Sequence, residues 1–390
     1  MNKKLPQYVF YLGLTLELII FLFERTNVSP LPAGQIFRIT FVLFAFKICL
    51  TKYTRREWLA LILFTVFTFV MYHITGQNIA LRAVFFVAAM RDINIRMAMK
   101  YTFWLTFSGF LMIMALSFMG IGRDIKDTAI YRDVLETRYH FGFGHPNTFY
   151  CMVLTLLLLF LYCYQEKINL SVLTVLFVVN ICLFLLTDSR TGFAVCTLTI
   201  ILALLLNISP KLRQRSGIYY AGMVVFLVCI GFSVWIAYHA DSVLLWIEGS
   251  WLDKLDVLLT RRVRNLYWQN TLYHASLKGW TLFSDANHFS RIFDMGWVRM
   301  FYWFGIIPGS IFTGLHLMLQ NEIRKTKDYA AFLLVIIVAV YTVVEPQYIS
   351  HYLGRNFLLF LFGAYWSQML YVTRGTSEYW WRFFSGVKQN

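Results

Sequence analysis

Apolar runs of roughly 17–22 residues recur along this chain, each long enough to cross a hydrocarbon core of about 30 Å. Nothing else in the sequence constrains the fold as strongly. Twelve such segments can be read, near residues 5–23, 34–50, 57–74, 79–90, 101–120, 148–165, 170–187, 191–207, 218–239, 298–319, 330–344 and 353–371. The fourth is short. The seventh and eighth are joined by so little that Asp188-Ser189-Arg190-Thr191-Gly192 is predicted to be a tight, membrane-embedded turn. Only 14% of residues are charged, against about 25% in an average soluble protein. The expected fold is an all-α polytopic membrane protein with about twelve transmembrane helices, residues 1–390 forming a single integral membrane domain.

Lys3-Lys4 followed by an apolar run resembles a signal sequence. No small-residue cleavage site follows it and further spans do, so it reads as an uncleaved first helix. The six cysteines fall within or at the ends of apolar runs. Neither a disulfide framework nor a zinc site is indicated.

A net charge of +15 raises the question of nucleic acid. Its distribution answers it. Alternate connections (Lys47–Arg56, Arg91–Lys100, Glu166-Lys167, Lys211–Arg215, Arg324–Lys327), the Lys3-Lys4 pair and the tail 372–390 are, taken together, strongly basic. The two long intervening segments are neutral: 121–147 holds four basic and four acidic residues, and 240–297 holds six of each. By the positive-inside rule both termini are cytoplasmic and the two long loops are external. The excess charge is then an orientation signal with some attraction for anionic lipid, and no nucleic-acid partner is expected.

Neither external loop has linker composition. Leu252, Leu255, Leu259, Val263 and Leu266 recur at helical spacing with charged residues between them, which predicts one amphipathic surface helix over 252–266. Residues 124–137 also read as helical. No internal repeat is evident, so an inverted-repeat transporter has no support.

Ionisable residues near spans are costly and commonly functional. Here they gather toward the outer face: Arg38, Arg82, Arg138, Arg190, Arg261, Arg262, Arg264 and Arg299, with Glu345, His351 and Arg355 around the turn between the last two spans. The positive-inside rule should deplete arginine there. Each arginine alone is explained equally well by snorkelling or by a local acid, Arg190 with Asp188 and Arg355 with Glu345. As a set they point to an anionic lipid-linked ligand such as a prenyl pyrophosphate, because guanidinium binds phosphate bidentately and stays charged.

Beside them lies Arg138-Tyr-His-Phe-Gly-Phe-Gly-His-Pro-Asn147. Gly142 and Gly144 permit positive φ. Pro146 favours an extended His145 and starts a helix well, which puts Asn147 in a first turn whose free N–H groups suit an anion. The external acids Asp241, Glu248, Asp253, Asp256, Asp285 and Asp294 show no D-x-D or H-E-x-x-H spacing. There is no nucleotide-binding glycine loop and no nucleophile elbow. No metal or cofactor is expected, and the energy for a reaction would enter with an activated substrate.

These features together resemble bacterial Wzy-type polysaccharide polymerases, relatives of the O-antigen ligases. The likeness rests on Phe141-Gly-Phe-Gly-His-Pro-Asn147 before a span, Thr187-Asp-Ser-Arg-Thr-Gly192 after the next, and the large loop before the tenth span. In that loop Leu259-Thr-Arg261-Arg262 precedes Gly279-Trp280 and then Phe293-Asp294-Met-Gly-Trp297 and Phe304-Gly305. The family often has Tyr soon after the loop acid; here Trp297 follows it. The resemblance covers the whole architecture and implies a GT-C-like membrane glycosyltransferase of the bacterial cytoplasmic membrane. Its expected substrate is an undecaprenyl-pyrophosphate-linked oligosaccharide, polymerised on the outer face. A chain-length regulator and a flippase of the same pathway are the implied partners. Ligation of finished glycan to a surface acceptor, or flipping of the lipid-linked sugar, are the alternatives. For this chemistry the expected pyrophosphate ligands are Arg190 with Arg261 or Arg262, supported by Arg138, Arg82, Arg264, Arg299 and Asn147. His145 and Asp294 are the candidate proton acceptors or sugar contacts. Trp251, Trp268 and Trp280 are candidate stacking platforms.

Overall fold

The computed structural model of the chain describes residues 4–24, 32–131, 134–267 and 274–371. Trp268, Lys3 and the tail 372–390 lie outside the described residues. In chain order the elements are α1 (Leu5–Phe23), α2 (Ala33–Cys49), α3 (Arg55–Thr75), α4 (Ile79–Ala89), α5 (Ile95–Phe118), β1 (Lys126–Tyr131), β2 (Val134–Tyr139), α6 (Pro146–Cys163), α7 (Leu170–Thr187), α8 (Arg190–Ile208), α9 (Pro210–Gln214) and α10 (Ser216–His239). They continue with α11 (Trp251–Leu258), α12 (Arg262–Tyr267), α13 (Gly296–Phe304), α14 (Ile306–Thr326), α15 (Tyr329–Val344) and α16 (Phe357–Leu370). A helix occupies every one of the apolar segments read from sequence, and the tenth is split into α13 and α14 at Gly305. Among the described residues seven helices are long and apolar enough to cross a membrane, and α4, α15 and α16 are shorter apolar helices.

Helix ends follow local chemistry. Thr54 and Glu57 form a reciprocal capping box that starts α3, Asn169 caps α7, and Asp328 caps α15. Burial is uneven. α6 is enclosed over 78% of its length, whereas only 17% of α7 is buried although α7 is the most hydropathic of the seven. A helix that shows Leu170, Val175, Val178 and Leu185 to its surroundings is suited to a hydrocarbon solvent, where exposed apolar surface costs nothing.

Two expectations fail. Residues 124–137 do not form a helix: β1 and β2 pair as an antiparallel hairpin, with Thr128 opposite Thr137 and their hydroxyls 2.9 Å apart. β-Branched and aromatic residues are frequent here, and the cross-strand partners were not visible to a helical reading. The 252–266 helix is also broken. Thr260 and Arg261 both take positive φ (56° and 59°), which separates α11 from α12. Leu252, Val263 and Leu266 still bury together, in a second apolar cluster beneath the loop that is centred on α10 and α13.

One span interior holds a charge pair. Glu17, in α1, is fully buried and receives Arg82 Nη2 at 2.6 Å and the Thr40 hydroxyl at 2.5 Å. Arg82 also donates to the His351 carbonyl at 2.9 Å, and its guanidinium lies 3.7 Å from the Phe37 ring centre. This ties α1, α2, α4 and the turn before α16 together. It also removes Arg82 from the set of pyrophosphate ligands, since its charge is spent on Glu17, a partner far away in sequence. Arg82→Ala should strand Glu17 in an apolar interior and cost about 3–5 kcal/mol, read as a lower thermal midpoint of the detergent-solubilised protein. An unchanged midpoint would contradict the pair's role.

Candidate functional site

The 138–147 stretch is anchored by its aromatics. Phe141 and Phe143 bury beside Phe110 and Phe149, with ring centres 5.1–5.4 Å apart along the series. Gly142 and Gly144 take φ of +87° and +73°, and a side chain at Gly142 would run into Ser117 Cβ and crowd the Ile113 carbonyl. The backbone therefore folds back on itself, with Phe141 N–H donating to Ile125 O and Gly144 N–H to His140 Nδ1. His145 is left extended and exposed as the N-cap of α6, and its Nδ1 accepts the Asn147 N–H at 3.1 Å. In that role a neutral imidazole carries its proton on Nε2. The outward nitrogen is a donor, so His145 is not placed as a proton acceptor.

The turn between α7 and α8 reaches the same place. Asp188 adopts the left-handed conformation that closes α7, and Arg190 is the first residue of α8. Arg138, delivered by β2, donates to Asp188 Oδ2 at 2.8 Å and to Glu136 at 2.6 Å. The Ser189 hydroxyl donates to Asn147 Oδ1 at 2.8 Å. Hairpin, His145 loop and turn are thus one body, and the N-termini of α6 and α8 lie side by side, an arrangement that favours anions. Arg190 is 64% exposed and only 3.7 Å from Asp188 at its nearest. Asp188 is held more closely by Arg138.

The second loop sorts its arginines. Buried Asp256 accepts the N–H groups of Val263 and Arg264 at 2.8 and 3.0 Å, which organises the break before α12. Arg264 is consumed by Asp253, Asp256 and the Leu245 carbonyl. Arg299 is buried, donates to the Phe293 carbonyl and lies over the Trp303 ring. Both were expected to face the ligand; both are structural, because buried guanidinium groups find carbonyl and carboxylate partners inside the loop. Arg261 is exposed, and among the described residues its guanidinium has no side-chain partner. Trp280 is stacked on Phe301 with its N–H given to Ala275 O, so it is a packing residue rather than a sugar platform. Trp251 keeps about half its surface exposed and packs against Trp235.

Arg262 links the two halves. It is 3% exposed, 2.5 Å from Glu345 Oε1 and 3.9 Å from Asp294 Oδ2. Glu345 therefore pairs with Arg262, not with Arg355 as sequence proximity implied. Burial pushes the Glu345 carboxyl up to about 7, with Arg262 opposing and Asp294 reinforcing the rise. His145 sits within the fields of Asp294, Arg138 and Arg262; desolvation first, then the two arginines, hold it below the usual histidine value against Asp294. Burial, together with Arg82, Arg355 and Arg299, drives His351 down to about 4, so it stays neutral. Glu345 was legible only as an acid at the end of an apolar segment; nothing in the sequence singled it out as the partner of Arg262.

The structure thus gathers His145, Asn147, Arg138, Arg190, Arg262 and Asp294, adds Glu345, and sets Arg82, Arg264 and Arg299 apart as framework. Among the described residues no group of three or more His, Cys, Asp or Glu side chains is placed to hold a metal ion. No family model, curated protein or solved structure matches the chain.

The hairpin–turn connection is testable by a double-mutant cycle. Arg138→Ala and Asp188→Ala should be non-additive in thermal unfolding, with a coupling of about 0.5–3 kcal/mol. Strict additivity would show that the hairpin is not held through this pair.

Proposed function

We propose that this chain is a multi-pass membrane glycosyltransferase that polymerises undecaprenyl-pyrophosphate-linked oligosaccharide repeat units on the outer face of the bacterial cytoplasmic membrane. In this reading the twelve apolar segments cross the membrane, both termini are cytoplasmic, and residues 121–147 and 240–297 are the external loops. The observation that carries the reading is the meeting of three regions remote in sequence. The His145 loop and the Arg190 turn are joined by a hydrogen bond and an ion pair, and His145 lies within the fields of Asp294 and Arg262 from the second loop, so two helix N-termini stand near cations and carboxylates.

That combination fits transfer from a lipid diphosphate. The acceptor hydroxyl attacks the anomeric carbon, the bond from that carbon to the phosphate oxygen breaks, and its electron pair leaves with the undecaprenyl pyrophosphate. The developing charge needs preorganised cations and N–H dipoles. Arg190 and Arg261 supply exposed guanidinium groups, and Arg138 fixes the Arg190 turn from behind. His145 offers its Nε2–H to a sugar or phosphate oxygen, and Asn147 positions the α6 N-terminus through Ser189. For the lipid, an apolar cavity of about 210 Å³ lined by Ala83, Val84, Phe312, Leu359 and Phe362 lies between α4, α14 and α16. Its upper rim is the turn that carries His351.

Reconstitution in liposomes with outward-facing lipid-linked repeats tests the proposal. The wild-type chain should build polymer, and Arg190→Ala and Arg261→Ala should each slow it by about 10²–10³-fold while still accumulating in the membrane. Normal chain length in both variants would overturn the assignment. Translocation without new glycosidic bonds would mark a carrier. In cells, accumulation of long lipid-linked chains on deletion would mark a ligase.

A further inference from the structure

We propose that Glu345 is the group that takes the proton from the attacking hydroxyl, with Arg262 as its positioning residue; this rests on the transferase reading above. Several nearby groups are committed elsewhere. The His145 Nδ1 lone pair accepts the Asn147 N–H, so its outward nitrogen donates. Asp188 is held by Arg138, Asp253 by Arg264 and the Gly249 N–H, and Asp256 by two backbone N–H groups. Asp127, whose field also reaches His145, is exposed on β1. On the side of the second loop stand Asp294 and Glu345; Arg262 pairs with Glu345 at 2.5 Å and lies 3.9 Å from Asp294.

Their surroundings separate them. Asp294 is 48% exposed to water. The Glu345 side chain is 10% exposed, Arg262 engages its Oε1, and Oε2 has no protein hydrogen bond among the described residues. Its backbone is fixed as well. The Glu345 N–H closes α15 on the Tyr341 carbonyl at 2.9 Å, and the start of α13 packs so closely that a side chain at Gly296 would come within 2.9 Å of the Glu345 carbonyl. A carboxylate drawn out of water but still open at one oxygen is a stronger base than a solvated one. The charged and titratable groups that bear on it are Arg262 from α12, Asp294 from the loop, Arg299 from α13 and Tyr341 from its own helix. Arg355 acts beyond Arg299, and His145 lies across Asp294 and Arg262.

The step balances within the groups named. The hydroxyl oxygen forms the new bond to the anomeric carbon, its O–H bond breaks, and the proton passes to Glu345 Oε2. The electron pair of the breaking carbon–oxygen bond leaves on the lipid diphosphate, and release of the Glu345 proton to water restores the base.

Glu345 must be ionised to act, so the wild-type polymerisation rate should fall as pH drops through about 7. Glu345→Gln should lose this acidic limb and run about 10²–10⁴-fold slower, whereas Glu345→Asp should keep the limb at a reduced rate. Asp294→Asn removes a negative neighbour that raises the Glu345 proton affinity, so its limb should move to lower pH. Asp294 is half exposed, so this variant remains decisive if Glu345→Gln fails to accumulate. A Glu345→Gln enzyme that retains the wild-type acidic limb, or an Asp294→Asn limb that stays in place or moves up, overturns the inference while leaving the transferase reading intact. Absence of polymer from the wild-type chain overturns both.

Discussion

One buried guanidinium, Arg262, sets the arrangement at the loop-bearing end of this molecule. A cation withdrawn from water is tolerated only where carboxylates and carbonyls replace its hydration. Arg262 obtains them from Glu345, from Asp294 and from the Leu259 carbonyl. Meeting that demand fixes two things at once: the close approach of α13 to the end of α15, and the proximity of the second loop to His145. The apolar cluster of Val263, Leu266, Phe293 and Trp297 fills the space below it. Packing gives this region its bulk, and the charge gives it its register.

The Glu17–Arg82 pair plays the same part on the other side. There a carboxylate in α1 is matched by an arginine in α4 and by a hydroxyl in α2, within helices that otherwise meet through apolar contacts such as Phe10, Phe44 and Phe86. Helix association in hydrocarbon lacks a hydrophobic drive. Matched polar groups at chosen depths can then decide which helices are neighbours. In both pairs the arginine is satisfied by acids distant in sequence, which is why a census of arginines along the chain overcounts those free to meet a ligand.

The sequence disclosed the helices and concealed their contacts. Long apolar runs declare themselves by length alone, and each one is a helix. Pro146 after an extended His145, and the positive φ of Gly142 and Gly144, also followed from residue chemistry. The hairpin at 126–139 did not, because its stability lies in cross-strand pairs rather than in local pattern. The break at Thr260–Arg261 was hidden for a similar reason: it is imposed by Asp256 accepting N–H groups seven and eight residues ahead. Of the arginines named from sequence, Arg190 and Arg261 stay accessible, while Arg82, Arg264 and Arg299 are absorbed into the framework. No pattern of residues along the chain could have sorted them, since the sorting depends on which acid arrives from elsewhere. Glu345 is the clearest case, ordinary in sequence and distinctive only once Arg262 is beside it.

The 83 residues that separate Arg262 from Glu345 also order events in time. A chain made from its N-terminus presents Arg262 well before its carboxylate partner exists. Until α15 is in place, the loop carries an unmatched cation that water must hold, and the cavity-forming turn before α16 is not yet closed over Arg82, whose carbonyl partner His351 comes 269 residues later. The junction therefore cannot form on a truncated or half-inserted chain. Completion of the last helices is what converts solvated loop charges into a fixed constellation, so this charged junction is assembled only at the end of the molecule's own biogenesis.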